Sequence, residues 1–234
     1  CIAGTTRNVN EMSADPFVTS IGGTQFKPKY NSKGNDVGRV AENAWNETFR
    51  TGPHATARAA TGGGASSIFS KPDYQQGPGV KNDGSRDVPD ISLAAGVLKP
   101  GFFIYTDTGL ECCIGGTSIG AAMWAGIAKL LSDEDTANGG NGRLGNINPR
   151  IYLLGQHRKK YKTGIRDVLT GSNSFNRVSG FRAHPAFDMT TGWGTPDLAV
   201  FVPAFVSGNI RHLQPGLASV PPANCASSID FCSP

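Results

Sequence analysis

Gly115-Gly116-Thr117-Ser118 runs without a break into Ile119-Gly120-Ala121-Ala122-Met123-Trp124-Ala125-Gly126-Ile127-Ala128-Lys129-Leu130-Leu131. The reading of this junction decides the fold. A glycine-rich bend delivers one serine to the start of an apolar helix. No polar face develops before Lys129, so the run predicts a helix enclosed by protein on all sides. A serine at that start meets unpaired backbone N–H groups and the positive end of the helix dipole, which both favour a developing oxyanion. Two roles are open to Ser118 on this local pattern: helix N-cap, for which serine is a preferred residue, and nucleophile.

Working outward, 234 residues suffice for one large core or at most two small ones. Charged residues make up only 17% of the chain, with 31 glycines and 15 prolines, which suits a loop-rich α/β domain and excludes coiled coil and disorder. The net charge is +4, but basic residues are scattered. Their one run, His157-Arg158-Lys159-Lys160-Tyr161-Lys162, reads as a helix C-terminal cap or solvated face rather than a nucleic-acid surface. No stretch approaches the ~20 apolar residues of a membrane-spanning helix. The chain opens on Cys1 with no signal-peptide pattern, the form of a processed product.

The five cysteines are Cys1, Cys112, Cys113, Cys225 and Cys232, and none has a zinc spacing. Cys225 and Cys232 bracket a short loop and can close on each other. Cys112 and Cys113 are adjacent, so at least one is expected to bond elsewhere, Cys1 being a candidate. The odd count points to a bond with another chain. Asn46-Glu47-Thr48 is a glycosylation sequon, compatible with a secreted, extracellular protein.

Strand and helix signals alternate. Pro16 to Thr24 reads as a strand ending in a glycine turn, and Glu42 to Phe49 as a short strand or turn around Trp45. Residues Thr61 to Ser66 form a glycine-rich loop. Arg86 to Ala95 reads as a turn and a buried strand, Phe102 to Thr106 as a strand, and Asn148-Pro149 as the start of a helix.

Taken in order, Phe17-Val18-Thr19-Ser20-Ile21-Gly22-Gly23-Thr24, Ala44-Trp45-Asn46, Thr61-Gly62-Gly63-Gly64-Ala65-Ser66, Arg86-Asp87-Val88-Pro89-Asp90-Ile91-Ser92, Gly116-Thr117-Ser118, Arg166-Asp167-Val168 and Thr191-Gly192-Trp193-Gly194-Thr195-Pro196-Asp197 resemble the sedolisins, the serine-carboxyl peptidases. The resemblance implies an α/β, subtilisin-like three-layer αβα fold with a mostly parallel sheet. Residues 1–206 would form part of that peptidase domain, its N-terminal part absent, and 207–234 a C-terminal tail pinned by the two late cysteines. Carried over, Ser118 becomes the nucleophile. The family's proline four residues after the serine is Ala122 here, a change that removes a backbone constraint and leaves the hydroxyl in place. The family's catalytic glutamate, the aspartate that orients it and the oxyanion-hole aspartate all lie before the matched segment. Carboxylates suit acid, where a histidine base would be protonated. Glu42, Glu47 and Glu111 match no catalytic motif and read as solvated surface charges. A partner, the N-terminal chain of the same precursor separated by proteolytic nicking, is therefore expected to bring the missing carboxylates.

The resemblance also implies a calcium site: the side chains of Asp167 and Asp188 with the carbonyl oxygens of Val168, His184 and Ala186. Hard oxygens are what Ca2+ takes. Turn capping by the two aspartates is the alternative. Family members commonly carry glycine at the positions of His184 and Ala186, so a glycine-only backbone angle there would matter. Two rival functions stand beside the peptidase. One is a calcium-stabilised binding or structural protein on an inactive peptidase scaffold. The other is an α/β-hydrolase esterase, since Gly116-Thr117-Ser118-Ile119-Gly120 also fits G-x-S-x-G, with Ser118, Asp188 and His212 as its triad.

Overall fold

The computed structural model describes residues 6–207. Its strands are β1 (Ile21–Tyr30), β2 (Asp36–Ala44), β3 (Asn46–Arg50), β4 (Thr56–Ala60), β5 (Gly64–Ser70), β6 (Ser85–Val88), β7 (Ile91–Ala94), β8 (Phe102–Thr106), β9 (Gly109–Ile114), β10 (Ile165–Arg166) and β11 (Thr195–Pro196). Its helices are α1 (Thr117–Ala137), α2 (Asn148–His157) and α3 (Leu198–Val206). Cys1, Cys225, Cys232, His212 and residues 208–234 of the expected tail lie outside the described residues.

β1 is the hub. Its first half pairs in parallel with β7, Ile21 to Thr24 opposite Ile91 to Ala94, and its second half runs antiparallel to β2. The glycines expected to end this strand sit inside it. A Cβ on Gly22 would fall 2.4 Å from Ser92 Oγ, and one on Gly23 would fall 2.8 Å from Ala95 Cβ, so close strand approach explains both glycines. The other strands form antiparallel pairs, β3–β4, β5–β6, β8–β9 and β10–β11. Among the described residues the sheets are therefore mixed, not mostly parallel. Two of the pairs, β3–β4 and β8–β9, are short hairpins, which need no helical crossover and so pair antiparallel.

The core lies between β1–β7 and the three helices. Gly120, Trp124, Ile127 and Leu131 line the buried side of α1, at the three-to-four-residue spacing of one helix face. They meet Ile91, Leu93, Phe201 and Phe205, with Tyr152 and Trp193 packed edge to face at 5.8 Å. α2 starts at Asn148 with Pro149 in its first turn, as expected, and Asn148 is tied by its side chain to Thr19 and the Val18 carbonyl.

The expectation of an enclosed α1 does not hold. Ala121, Ala122, Met123, Ala125, Gly126 and Leu130 are exposed on its other side. Phe17 is 81% exposed nearby, where it shares a cavity with Ala121 and Ala125. The hydrophobicity of the run was read correctly, but the described residues cover only half of it.

Candidate active site and calcium-type loop

α1 begins at Thr117 with Gly116 as its N-cap residue, at φ +123°. Ser118 is the second helical residue, so it is not the cap. Its side chain is exposed, in the first turn where backbone N–H groups lack intrahelical acceptors. Ser118 Oγ forms no hydrogen bond among the described residues.

The bend is anchored to the sheet. Ala95, just after β7, donates to the Thr24 carbonyl at 2.8 Å and accepts from Gly116 N–H at 2.7 Å. A Cβ on Gly115 would lie 2.5 Å from the Ala95 oxygen, so only glycine passes there. Beside it a closed ring of hydrogen bonds joins three motifs: Trp45 N–H to Gly23 O at 2.9 Å, Thr61 N–H to Trp45 O at 2.9 Å, and Gly23 N–H to Thr61 Oγ1 at 2.8 Å. Gly23 lets Trp45 and the Thr117 methyl come close together over the strand.

Two acids read as solvated charges belong to this frame instead. Glu47 accepts from Trp45 Nε1 at 2.8 Å and from the Val97 and Leu98 amides. Glu42 accepts from Thr24 Oγ1 at 2.7 Å and Thr195 Oγ1 at 3.1 Å, and pairs with Arg39. Thr195 and the Val97 and Leu98 amides lie far along the chain from these acids, so sequence spacing does not reveal those contacts. Glu111 remains exposed on β9.

The sulfurs of Cys112 and Cys113 meet each other on β9, where at least one was expected to bond elsewhere. Both amide hydrogens of Asn46 are committed, to the Ser172 and Ser174 carbonyls at 2.9 and 2.8 Å, which leaves the sequon nitrogen no free hydrogen. Arg158 does cap the C-terminus of α2, donating to Gly155 O at 3.0 Å.

The Asp167 and Asp188 loops come together. The Ala186 amide donates to Asp167 Oδ2 at 2.9 Å, and the same oxygen pairs with Arg158 at 2.6 Å. Asp167 Oδ1 is buried without a hydrogen-bond partner. Asp188 accepts from the His184, Thr190 and Thr191 amides. Burial nevertheless pushes its carboxyl above the usual carboxylate range, against the pull of those amides. Ala186 has φ +76°, the left-handed backbone that glycine adopts without strain. The His184 side chain is exposed and its ring lies 3.0 Å from Pro185 O. Among the described residues no group of three or more His, Cys, Asp or Glu could hold a metal, so an ion here would depend on main-chain carbonyls. Both Asp188 oxygens serve its own loop, and His212 is outside the described residues.

No family model matches the chain. It is 26% identical over 204 residues to tripeptidyl-peptidase 1 of Mus musculus and 24% identical to that of Homo sapiens, in each case over 79% of this chain. It spans 31% of the length of these curated relatives. A Pseudomonas sedolisin, a serine-carboxyl proteinase solved with two molecules of pseudo-iodotyrostatin, superposes with TM-score 0.59 at 30% identity. That match covers 81% of this chain and 46% of the sedolisin chain. The described residues thus have a subtilisin-like peptidase fold. No helix among the described residues is long and apolar enough to cross a membrane.

Proposed function

We propose that this chain, a relative of the sedolisins, is the nucleophile-bearing C-terminal portion of a secreted serine-carboxyl endopeptidase. The observation that carries the proposal is Ser118 itself: exposed, in the first turn of α1, at the end of a glycine bend pinned through Ala95 to β1. Ser118 Oγ would attack the peptide carbonyl as a carboxylate takes its proton. The amine leaves with a proton returned by that acid, and water then releases the acyl group from Ser118. The α1 N–H groups face the developing oxyanion.

The base is assigned to an N-terminal chain of the same precursor, with that chain also completing the mostly parallel, three-layer arrangement. The open apolar side of α1 supports this, because folded proteins rarely leave such a strip uncovered. Ca2+ is assigned to Asp167 and Asp188 with the carbonyls of Val168, His184 and Ala186. Three features support it: the unpartnered Asp167 Oδ1, the buried Asp188 carboxyl and the left-handed turn at Ala186. The ion would supply charge that holds two carboxylate loops together, a structural role away from the reacting atoms.

A second reading, an inactive calcium-stabilised scaffold, draws support from the absence of any acid bonded to Ser118 among the described residues. One experiment separates the two. Native material is analysed by mass spectrometry after incubation with a peptide aldehyde. A second polypeptide together with an adduct on Ser118 supports the peptidase, whereas a lone chain without adduct leaves the scaffold.

A further inference from the structure

A cavity of about 410 Å³ opens between the N-terminal arm, the end of β4 and the Phe175–Val178 hairpin, with Thr61 and Gly62 in its wall. Among the described residues no acidic one lines it, and two arginines do. Arg7 is held by an Nε–H bond to Ser179 O at 2.6 Å and stands 5.1 Å over the Phe181 ring. Arg58 stands 6.0 Å over the Phe175 ring. Neither guanidinium joins any ion pair among the described residues, whereas Arg39, Arg86, Arg158 and Arg166 each have a carboxylate.

More positive charge lies near the residues that frame this cavity. Arg177 lines a shallower cavity that shares Arg58 and Phe175 with the first. It sits beside Asn176 at the tip of the hairpin, both at positive φ, with Phe175 and Val178 bonded to each other in both directions. Lys81 also lies 5.1 Å from the Phe181 ring centre. Gly62 contributes space: a Cβ there would meet nothing within 4 Å, so the protein's own packing does not require glycine.

Like charges gathered without a counter-charge repel one another within a Debye length of ~10 Å, and a bound anion relieves that. Rings beneath the guanidiniums hold them in place, so little side-chain freedom is lost on binding. The flat fork of arginine matches tetrahedral oxyanions through paired hydrogen bonds. We propose that this cavity binds a phosphate or sulfate group, carried on a molecule whose apolar body rests against Phe175 and Phe181. Ser118 does not line this cavity, and the proposal does not depend on the peptidase assignment.

The test is calorimetric titration of the native protein, with whatever covers α1 in place, using inorganic phosphate and sulfate at constant ionic strength against chloride. Saturable binding is expected for one or both, which also tells the two sources apart. Arg7→Gln/Arg58→Gln should weaken it at least about tenfold, the loss of two charge-assisted contacts. Gly62→Leu should do the same by filling the space with every charge retained and the melting temperature unchanged. Arg58→Lys should recover part of the loss. Phenyl phosphate should bind more tightly than inorganic phosphate through the two rings. No saturable binding beyond chloride overturns the proposal, as does undiminished binding in Gly62→Leu; equal affinity for phenyl and inorganic phosphate overturns the part given to the rings.

Discussion

Arg86 grips Asp90 with two parallel hydrogen bonds, Nη1 to Oδ1 at 2.8 Å and Nη2 to Oδ2 at 2.6 Å, and neither side chain reaches solvent. Asp90 Oδ2 also accepts from the Ser20 amide at 2.8 Å, and Arg86 Nη1 donates to the Asp87 carbonyl. The pair therefore sets the spacing of β6, the start of β7 and the entry to β1. Cutting one side of such a pair strands a buried charge, at a cost of about 3–5 kcal/mol. Asp90→Ala should lower stability by that order in a denaturant melt. Arg86→Met/Asp90→Leu should be less damaging than Asp90→Ala alone, and the reverse ranking would show that the charge is not what matters.

Ser118→Ala should abolish peptide hydrolysis in the assembled protein and prevent the aldehyde adduct. Folding should change little, because Gly116 and not Ser118 occupies the cap position. His212→Ala should leave hydrolysis intact under the serine-carboxyl reading, whereas an esterase triad would lose activity with it. Rates with peptide and ester substrates on the three proteins check both statements.

Excess chelator should lower the melting temperature of the parent protein if Ca2+ joins the Asp167 and Asp188 loops. Asp167→Ala and Asp188→Ala should each be destabilised by a few kcal/mol through lost metal linkage and should no longer respond to chelator. Identical melting of the parent with and without chelator would leave the aspartates as turn caps.

Glu11 anchors the N-terminal arm to β5. Its carboxylate accepts from the Ser66 hydroxyl and from Ser67, and these bonds, Ser66 foremost, hold its pKa below the usual 4.5. A depressed carboxylate pKa stabilises the attached arm fully above pH ~4.5 and loses that contribution as pH falls through the lowered value. The protection factors of residues 10–15, taken relative to the intrinsic exchange rate at each pH, should therefore fall in acid while those of α1 persist. Glu11→Gln should show fast exchange in the arm already at neutral pH, and a pH-independent arm would refute the link.

The start of α1 was legible in the sequence because a glycine bend, a serine and an apolar run are local signals. So was the cap at Arg158, for a basic residue in the last turn acts on its own helix. Gly22 and Gly23 misled, because glycine marks a turn as readily as it marks two strands in near contact, and only the position of Pro89, Ser92 and Ala95 tells which. Glu42 and Glu47 were missed for a related reason: their acceptor roles depend on Thr195 and on Val97, which folding brings close. The left-handed angle at Ala186 was foreseen as a question, since the resemblance placed glycine there, and the structure answers it with a residue that tolerates the angle less well.

The uncovered side of α1 also bears on how the molecule has to be made. Where no residue of the chain beyond the described ones covers Met123, Leu130 and Phe17, a released chain has two outlets, association with something that covers them or association with copies of itself. The second grows with concentration, so timing and stoichiometry during synthesis decide the yield of folded material. Expression of this chain alone should stall in aggregates whose amount rises with dose. A covering segment that arrives later, after the strip has been buried against a second copy, would find its place already taken.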